Sequence, residues 1–399
     1  MLRVGLSGGI GSGKSTVSRR LAARGALIVD SDQIAREVLA PGSPGLARVR
    51  QRFGASVVGS DGALDRPALG EVVFADSSAR RDLETITHPL IEQRTAELFA
   101  GAGPADIVVH DVPLLVEKEM GPAYHLVVMV DAPETERLRR LTQDRAMSEE
   151  SARSRIRSQA DEVARRRAAD VWLDNSATTH DLSQCIDRLW DERVVPYERN
   201  VRTRTASGRG EELVIVAPDP SWPAQADRLM ARLRRAWGAA ASEIDLAHIG
   251  STSIPGMPAK DVVDLQLVVD DPVNLDEPDR ATRLAEGGWV PAPGSWWDRA
   301  HGADAEARWP KRLVLGTDPG RAVTLHVRAR RSPAARRALL LRDWMTAVPQ
   351  ASSEYIELKT DLQGRLARVE DYARAKEPWF ASAFARAERW AERTGWTPG

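Results

Sequence analysis

The chain has 399 residues, enough for about two or three domains at the usual domain size. Its 56 basic and 57 acidic residues nearly cancel to a net charge of −1, so it is not built mainly to neutralise a nucleic-acid backbone. Hydrophobic residues at 42% and charged residues at 28% exclude a wholly disordered chain, and no apolar run approaches the ~18 residues of a membrane-spanning helix.

The chain opens on Met1 and the run Leu2-Arg3-Val4-Gly5-Leu6, without the basic-then-apolar pattern of a signal peptide. Ala26-Leu27-Ile28-Val29, Ile107-Val108-Val109 and Leu126-Val127-Val128-Met129-Val130 are further short apolar runs. Such runs suit strands buried on both faces. Amphipathic helical patterns lie between them, at residues 16–24 and 134–143. This alternation predicts a parallel α/β sheet.

Directly after the first run comes Gly8-Gly9-Ile10-Gly11-Ser12-Gly13-Lys14-Ser15, then Thr16. This is G-x-x-x-x-G-K-[ST] in full, in the expected strand–turn–helix setting. Gly8, Gly11 and Gly13 let the backbone curl, with Ser12 between them, so that N–H groups point at phosphate oxygens. The following helix adds its partly positive N-terminus. Lys14 reaches the terminal phosphates, and Ser15 offers a hydroxyl to Mg²⁺. A nucleoside triphosphate is the expected ligand. The loop alone does not choose between a kinase, a GTPase and a motor, although no N-K-x-D motif is present to read guanine.

Asp30-Ser31-Asp32 follows the second run. A carboxylate at a strand end facing the phosphates can orient or deprotonate an acceptor hydroxyl, or hold Mg²⁺ through water. Ser31 or Asp32 can equally cap a helix starting near Gln33, and the two roles are compatible. Residues 137–167 are rich in arginine, including Arg139, Arg140, Arg145, Arg153, Arg155 and Arg157. As a group they suit a lid that brings positive charge over the transferring phosphoryl. Singly, each suits a solvated helix face, because Glu149, Glu150, Asp161 and Glu162 interleave with them. Cys185 is the single cysteine, which rules out an internal disulfide, fits a reducing cytoplasm and reads as helix packing.

With these residues in view, the first half resembles the dephospho-CoA kinase family over residues 1–200. Beyond the phosphate loop the resemblance rests on Asp30-Ser31-Asp32 with Ile34-Ala35-Arg36, on Thr87-His88-Pro89-Leu90-Ile91, and on Asp111-Val112-Pro113-Leu114-Leu115-Val116-Glu117. Arg140-Leu141 with Arg145, Arg155-Ile156 with Gln159, and Asp170 with Asp174-Asn175-Ser176 complete it. The resemblance implies a P-loop kinase fold with CoA-binding and lid helices. It implies transfer of the γ-phosphoryl of ATP, with Mg²⁺, to the ribose 3′-hydroxyl of dephospho-CoA. Asp32 would act as base, with Lys14 and Arg140 stabilising the moving phosphoryl. Gly8, Gly11, Ser12, Gly13, Lys14, Ser15, Thr16 and Asn175 would bind ATP. His88, Leu114, Arg140 and Arg155 would border dephospho-CoA with Asp32. His110, at a strand end, reads as structural. Another small-molecule kinase, or a nucleotide-sensing regulator, remains the alternative.

The chain divides near residue 205. Only Trp172 and Trp190 of the 12 tryptophans precede residue 200. The polar stretch Thr203-Arg204-Thr205-Ala206-Ser207-Gly208-Arg209-Gly210 reads as a linker, giving domains at 1–202 and 213–399 joined by 203–212. The second half has an amphipathic helix over 224–237. It then has Ala247-His248-Ile249-Gly250-Ser251-Thr252-Ser253-Ile254-Pro255-Gly256 and Lys260-Asp261-Val262-Val263-Asp264-Leu265-Gln266. With Leu325-His326-Val327, Leu341-Arg342-Asp343, Tyr355-Ile356-Glu357-Leu358-Lys359 and Tyr372, it resembles the GrpB-like family, an α+β fold similar to nucleotidyltransferases. Lys260-Asp261 departs from that family, which usually has Pro after this Lys. A working nucleotidyltransferase sets a Gly-Ser turn beside two carboxylates that hold Mg²⁺. Gly250, Ser251 and Asp264 fit, but Gln266 stands where the second carboxylate belongs. Binding of a phosphorylated ligand by His248, Gly250, Ser251 and Lys260, or a structural role assisting the first half, are the other readings. Trp296-Trp297 reads as core or interface rather than a base-stacking pair. No nucleic-acid or membrane partner is expected, and a monomer is the default.

Overall fold

The computed structural model describes residues 1–208, 210, 212–300 and 308–398. It divides into two compact units, Met1–Met120 with Leu126–Trp190, and Gly121–His125 with Asp191–Gly399.

The first unit is built on five strands, β1 (Leu2–Gly8), β2 (Leu27–Asp30), β3 (Ile107–Asp111), β4 (Leu126–Asp131) and β5 (Val171–Asp174). Their order is β2-β3-β1-β4-β5, and every pairing is parallel. The four apolar runs become β1 to β4, as their continuous hydrophobicity requires of strands covered on both faces. Leu6, Val108, Val127, Val128 and Met129 are all buried at the sheet centre. The fifth strand was not evident from the sequence, because it is only four residues long and half-buried. The expected first helix runs Lys14–Ala23. The second begins as Glu134–Arg139 and passes into a wider, π-type turn over Arg140–Asp144. Side-chain N-caps open helices of this unit. Thr178 and Asp181 form a reciprocal capping box on the helix Thr179–Leu189, and Ser148 caps Glu149–Arg157.

Because the sheet is parallel, all five strands end at one edge. Those ends are Gly8, Asp30, Asp111, Asp131 and Asp174. The connections leaving the neighbours β1 and β3 run in opposite directions across the sheet, which opens a crevice between their ends.

The second unit has β6 (Asp245–Ile249), β7 (Val263–Val269), β8 (Trp289–Pro291), β9 (Trp296–Arg299), β10 (Arg308–Gly316) and β11 (Val323–Ala329). The order is β6-β7-β11-β10-β8, with β9 paired to β10 off that path. Only β7 and β11 are parallel to each other. Alternation sorts the two faces. Val263, Leu265 and Leu267 of β7 join Leu325 and Val327 of β11 in a core with Trp222, Leu229 and Leu233 of the helix Trp222–Trp237. Asp264, Gln266, Thr324, His326 and Arg328 therefore share the opposite face. Trp296 and Trp297 are not core residues: they lie about two-fifths exposed on β9, with the Arg308 guanidinium 4.7 Å over the Trp297 ring. Within the stretch read as a linker, Arg204 ends a helix in the left-handed conformation and Ser207 bonds the Gly316 carbonyl, while Arg209 lies outside the described residues. Among the described residues no helix is long and apolar enough to cross a membrane.

Leu6 is wholly buried in the central strand. Leu6→Ala is expected to cost about 2–5 kcal/mol. Hydrogen exchange of the β1 and β3 amides reads the loss, and unchanged protection would show that Leu6 does not anchor the sheet.

Candidate active site

The phosphate loop leaves β1 at Gly8 and enters the helix Lys14–Ala23 through Gly13. Gly11 and Gly13 have φ of 80° and 95°, a region that favours glycine. A Cβ on Gly13 would stand 2.1 Å from Asn175 Nδ2, and one on Gly9 would stand 1.8 Å from Arg137 Nη1. The glycines thus serve close approach as well as curvature. The loop closes on itself through Ser12 N–H to Gly9 O at 3.0 Å.

Lys14 and Asp111 form an ion pair across the ends of β1 and β3. Burial raises the Asp111 pKa above the ordinary carboxylate value, against the pull of Lys14; Asp30 and Asp32 push it the same way as burial. Asp30 and Asp32 thus stand close enough to Asp111 to act on its charge, while Asp111 is the carboxylate that pairs with Lys14. Asp30 is the cap of the next helix, accepting from Asp32 N at 2.8 Å and Gln33 N at 3.0 Å. That helix is Ser31–Glu37, so it starts earlier than expected and its cap is Asp30. Asp32 sits in the first turn, its own side chain exposed. His110 is 4% exposed and packs edge-on to Phe99, with Nε2 2.9 Å from Ser31 Oγ. Burial lowers its pKa to about 4, so the ring is neutral near pH 7, as a structural histidine should be.

The far side of the loop is braced by backbone contacts. Arg140 donates to the carbonyls of Gly11 at 3.3 Å, Ser12 at 3.4 Å and Asn175 at 3.0 Å, and pairs with Glu136 at 2.8 Å. Asn175 Nδ2 donates to Ser12 O at 2.8 Å, and Ile10 N–H donates to Gln159 Oε1 at 2.7 Å. Ser12 Oγ and Arg137 Nε and Nη1 are buried with no hydrogen-bond partner. Ser15 is exposed in the first turn of the loop's helix, and Thr16 N–H bonds Gly13 O at 3.0 Å. His88 is exposed beside Pro89 in the helix Ser77–Ala100, Leu114 is 42% exposed after β3, and Arg155 is exposed near the end of Glu149–Arg157. Several arginines of the segment are spoken for on the surface, with Arg139 on Glu136, Arg153 on Glu149 and Arg166 on Glu162.

Asp111, Gln159 and Arg137 were not singled out as site residues from the sequence. Asp111 was legible in principle: it is an acid closing the apolar run that pairs with the loop's own strand. Finding it required the strand order.

The family model for dephospho-CoA kinase matches residues 2–181, and that for GrpB protein matches residues 212–386. A dephospho-CoA kinase of Mycolicibacterium paratuberculosis is 43% identical over 411 residues, covering 100% of both chains. The chain belongs to the dephospho-CoA kinase family. A relative of the same name from Thermobifida fusca is 50% identical over 192 residues, 48% of this chain and 96% of that one. Family members therefore include chains that match the first half alone. A solved structure titled dephospho-CoA kinase from Campylobacter jejuni is 25% identical, covering 48% of this chain and 96% of that one with a TM-score of 0.36.

In the second unit the structure brings together Gly250 and Asp264, which the sequence analysis grouped. Gly250, with φ 71°, turns so close to Asp264 that a Cβ would lie 2.7 Å from its Oδ2. His326 Nε2 is 3.5 Å from Asp264 Oδ1. Gln266 is 1% exposed, donating to Ala335 O at 3.1 Å and accepting from Arg328 at 2.7 Å. It is a structural amide, and no second carboxylate stands beside Asp264 on β7. His248 bonds Thr252 at 2.9 Å, and burial lowers its pKa to about 4.

His110 also makes a pH signature. Unfolding lets the ring protonate below its ordinary value of 6.5, while the folded ring resists down to about 4. Its contribution, roughly 3 kcal/mol, is complete above pH 6.5 and is lost as pH falls toward 4. His110→Phe is expected to flatten the stability profile of the first unit across that window. An unchanged profile would show that His110 is not held neutral.

Proposed function

We propose that the first unit transfers the γ-phosphoryl of ATP to the ribose 3′-hydroxyl of dephospho-CoA, releasing coenzyme A and ADP. The observation that carries the assignment of roles is the Lys14–Asp111 pair at the crevice, with the exposed Asp32 in the first helical turn after β2. Loop N–H groups and the helix N-terminus receive the phosphates. The buried, unpartnered Ser12 Oγ and Arg137 nitrogens fit an arriving anion, since such donors are rarely left unpaired. Asp111 holds Lys14 so that its ammonium is oriented before the triphosphate arrives. Asp32 accepts the proton of the attacking hydroxyl as its oxygen bonds to phosphorus and the bond to the ADP oxygen breaks.

The metal is Mg²⁺. Ser15 Oγ and the Asp32 and Asp111 carboxylates are hard oxygen donors, and Mg²⁺ suits one or two such groups plus substrate phosphates. Mg²⁺ supplies charge neutralisation at the phosphates. Asn175 and Arg140 act first on the loop, holding its carbonyls so that its N–H groups are left for the ligand; a direct part for Arg140 in stabilising the transferring group would need it to leave these contacts. Arg145 and Arg155 serve as lid cations, and His88 and Leu114 border the acceptor.

Residues 1–202 are taken as the kinase domain, 203–212 as the connection and 213–399 as the second domain. The two family matches, 2–181 and 212–386, fall on either side of 203–212, although the compact units part earlier, after Trp190, and group 121–125 with the second. The single Cys185 supports a reducing, cytoplasmic setting.

Lys14→Ala and Asp32→Ala are each expected to lower kcat with dephospho-CoA by about 10²–10⁴-fold. Asp32→Ala should leave the KM for ATP nearly unchanged. Near-normal turnover in Asp32→Ala would remove it as the base.

A further inference from the structure

The second unit holds two adjoining recesses that the phosphoryl-transfer reading does not use. They lie over the polar face of β7 and β11 and share Ser251, Asp264, His326 and Lys376. The smaller has a volume of about 210 Å³ and the larger about 330 Å³.

The smaller recess gathers Lys260, Lys359 and Lys376, with hydroxyls from Ser251, Thr324 and Tyr372; among the described residues Asp264 is its one lining carboxylate. Lys359 is 2% exposed and donates to Ser251 Oγ at 2.7 Å and Pro258 O at 2.8 Å. Both partners are neutral, so its charge is solvated without being cancelled. Lys376 Nζ stands 4.3 Å over the Tyr372 ring. Burial, then the neighbouring Lys376 and Lys260, lowers the Lys359 pKa to about 7. Burial and Lys260 lower that of Lys376 to about 8, although Asp264 and Glu377 pull the other way. Assembling these ammonium groups is unfavourable by desolvation and mutual repulsion. An anion among them relieves both.

The larger recess is walled by Trp309, Tyr355, Phe380 and Phe384. The Arg337 guanidinium lies 4.7 Å over the Trp309 ring and 5.4 Å over Phe384. Aromatic walls of this kind suit a flat ring. The surrounding charges are those of an anion site rather than a two-carboxylate metal site. Gln266 is tied to Arg328, and Asp298 is held by Arg328 at 2.8 Å and Lys311 at 2.6 Å. Burial alone would raise the Asp298 pKa, yet those two cations hold it below the ordinary carboxylate range.

We propose that these recesses bind a nucleotide directly, its phosphate among Lys260, Lys359 and Lys376 and its base in the aromatic-walled recess against the Arg337 guanidinium that lies over Trp309 and Phe384. The site is distinct from the phosphate loop and does not depend on the roles given to the first unit.

Calorimetric titration of full-length Lys14→Ala, in which the phosphate loop is disabled, tests this with AMP, ribose 5-phosphate and adenosine as probes. AMP is expected to bind at one site, with ribose 5-phosphate and adenosine each at least about tenfold weaker. Adding Lys376→Gln or Lys260→Gln should each weaken AMP by at least about tenfold. Hydrogen exchange of Lys14→Ala with and without AMP should show protection in β11 and in the helix Val369–Ala375. This localises the ligand without relying on the folding of either lysine variant. Absence of AMP binding at millimolar concentration overturns the proposal. Binding indifferent to both lysine variants, or protection confined to the first unit, overturns it too. Equal affinity for AMP and ribose 5-phosphate removes the base contact and with it the nucleotide assignment.

Discussion

Parallel strands must all finish at the same edge, and the first unit depends on that constraint. Its strands end in Gly8, Asp30, Asp111, Asp131 and Asp174, which sets a phosphate-binding turn within a row of acids. Such a row would repel a triphosphate if left bare. Each acid has work to do instead. Asp111 holds Lys14, Asp30 caps a helix, Asp131 pairs with Arg165 at 2.9 Å, and Asp174 accepts from Ser176 N at 2.9 Å. Asp32, in the first turn of the helix that follows β2, keeps its side chain exposed. The edge thus binds its own charges and leaves the proposed base, Asp32, exposed.

The loop gains its shape from behind. Arg140, Asn175 and Gln159 all contact its backbone, and the glycines admit Asn175 and Arg137 at distances no side chain would allow. Preorganised N–H groups need no rearrangement when the phosphates arrive, which is the main source of stabilisation in phosphoryl transfer. An arginine that is read from a motif as a catalytic cation is here also a structural brace, so its substitution disturbs both.

Much of the first unit was legible in the sequence because its signals are local. A glycine-rich turn between an apolar run and a helix states its own geometry, and β1 to β4 announce themselves as buried runs. β5 was hidden by its brevity, and the choice of Asp30 rather than Ser31 or Asp32 as helix cap turned on one residue's backbone angles. Asp111 required the knowledge that β3, and not β2, lies beside β1. The second unit divides in the same way. Gly250, Ser251 and Asp264 stand close in sequence and could be grouped. Lys359 meets Ser251 from 108 residues away, and Lys376 comes from a different helical segment again, so the lysine recess belongs to tertiary structure alone.

The central claim is that this strand edge moves a phosphoryl group to one particular hydroxyl. Phosphorus NMR and mass analysis of the product, after incubating the full chain with ATP and Mg²⁺, test it most directly. Dephospho-CoA is set against adenosine, AMP and no acceptor. The account predicts ADP formation with dephospho-CoA, far above the other acceptors, and one new phosphomonoester on the ribose 3′-oxygen. ATP binding without phosphorylation of dephospho-CoA, or phosphate on a different hydroxyl, would contradict it.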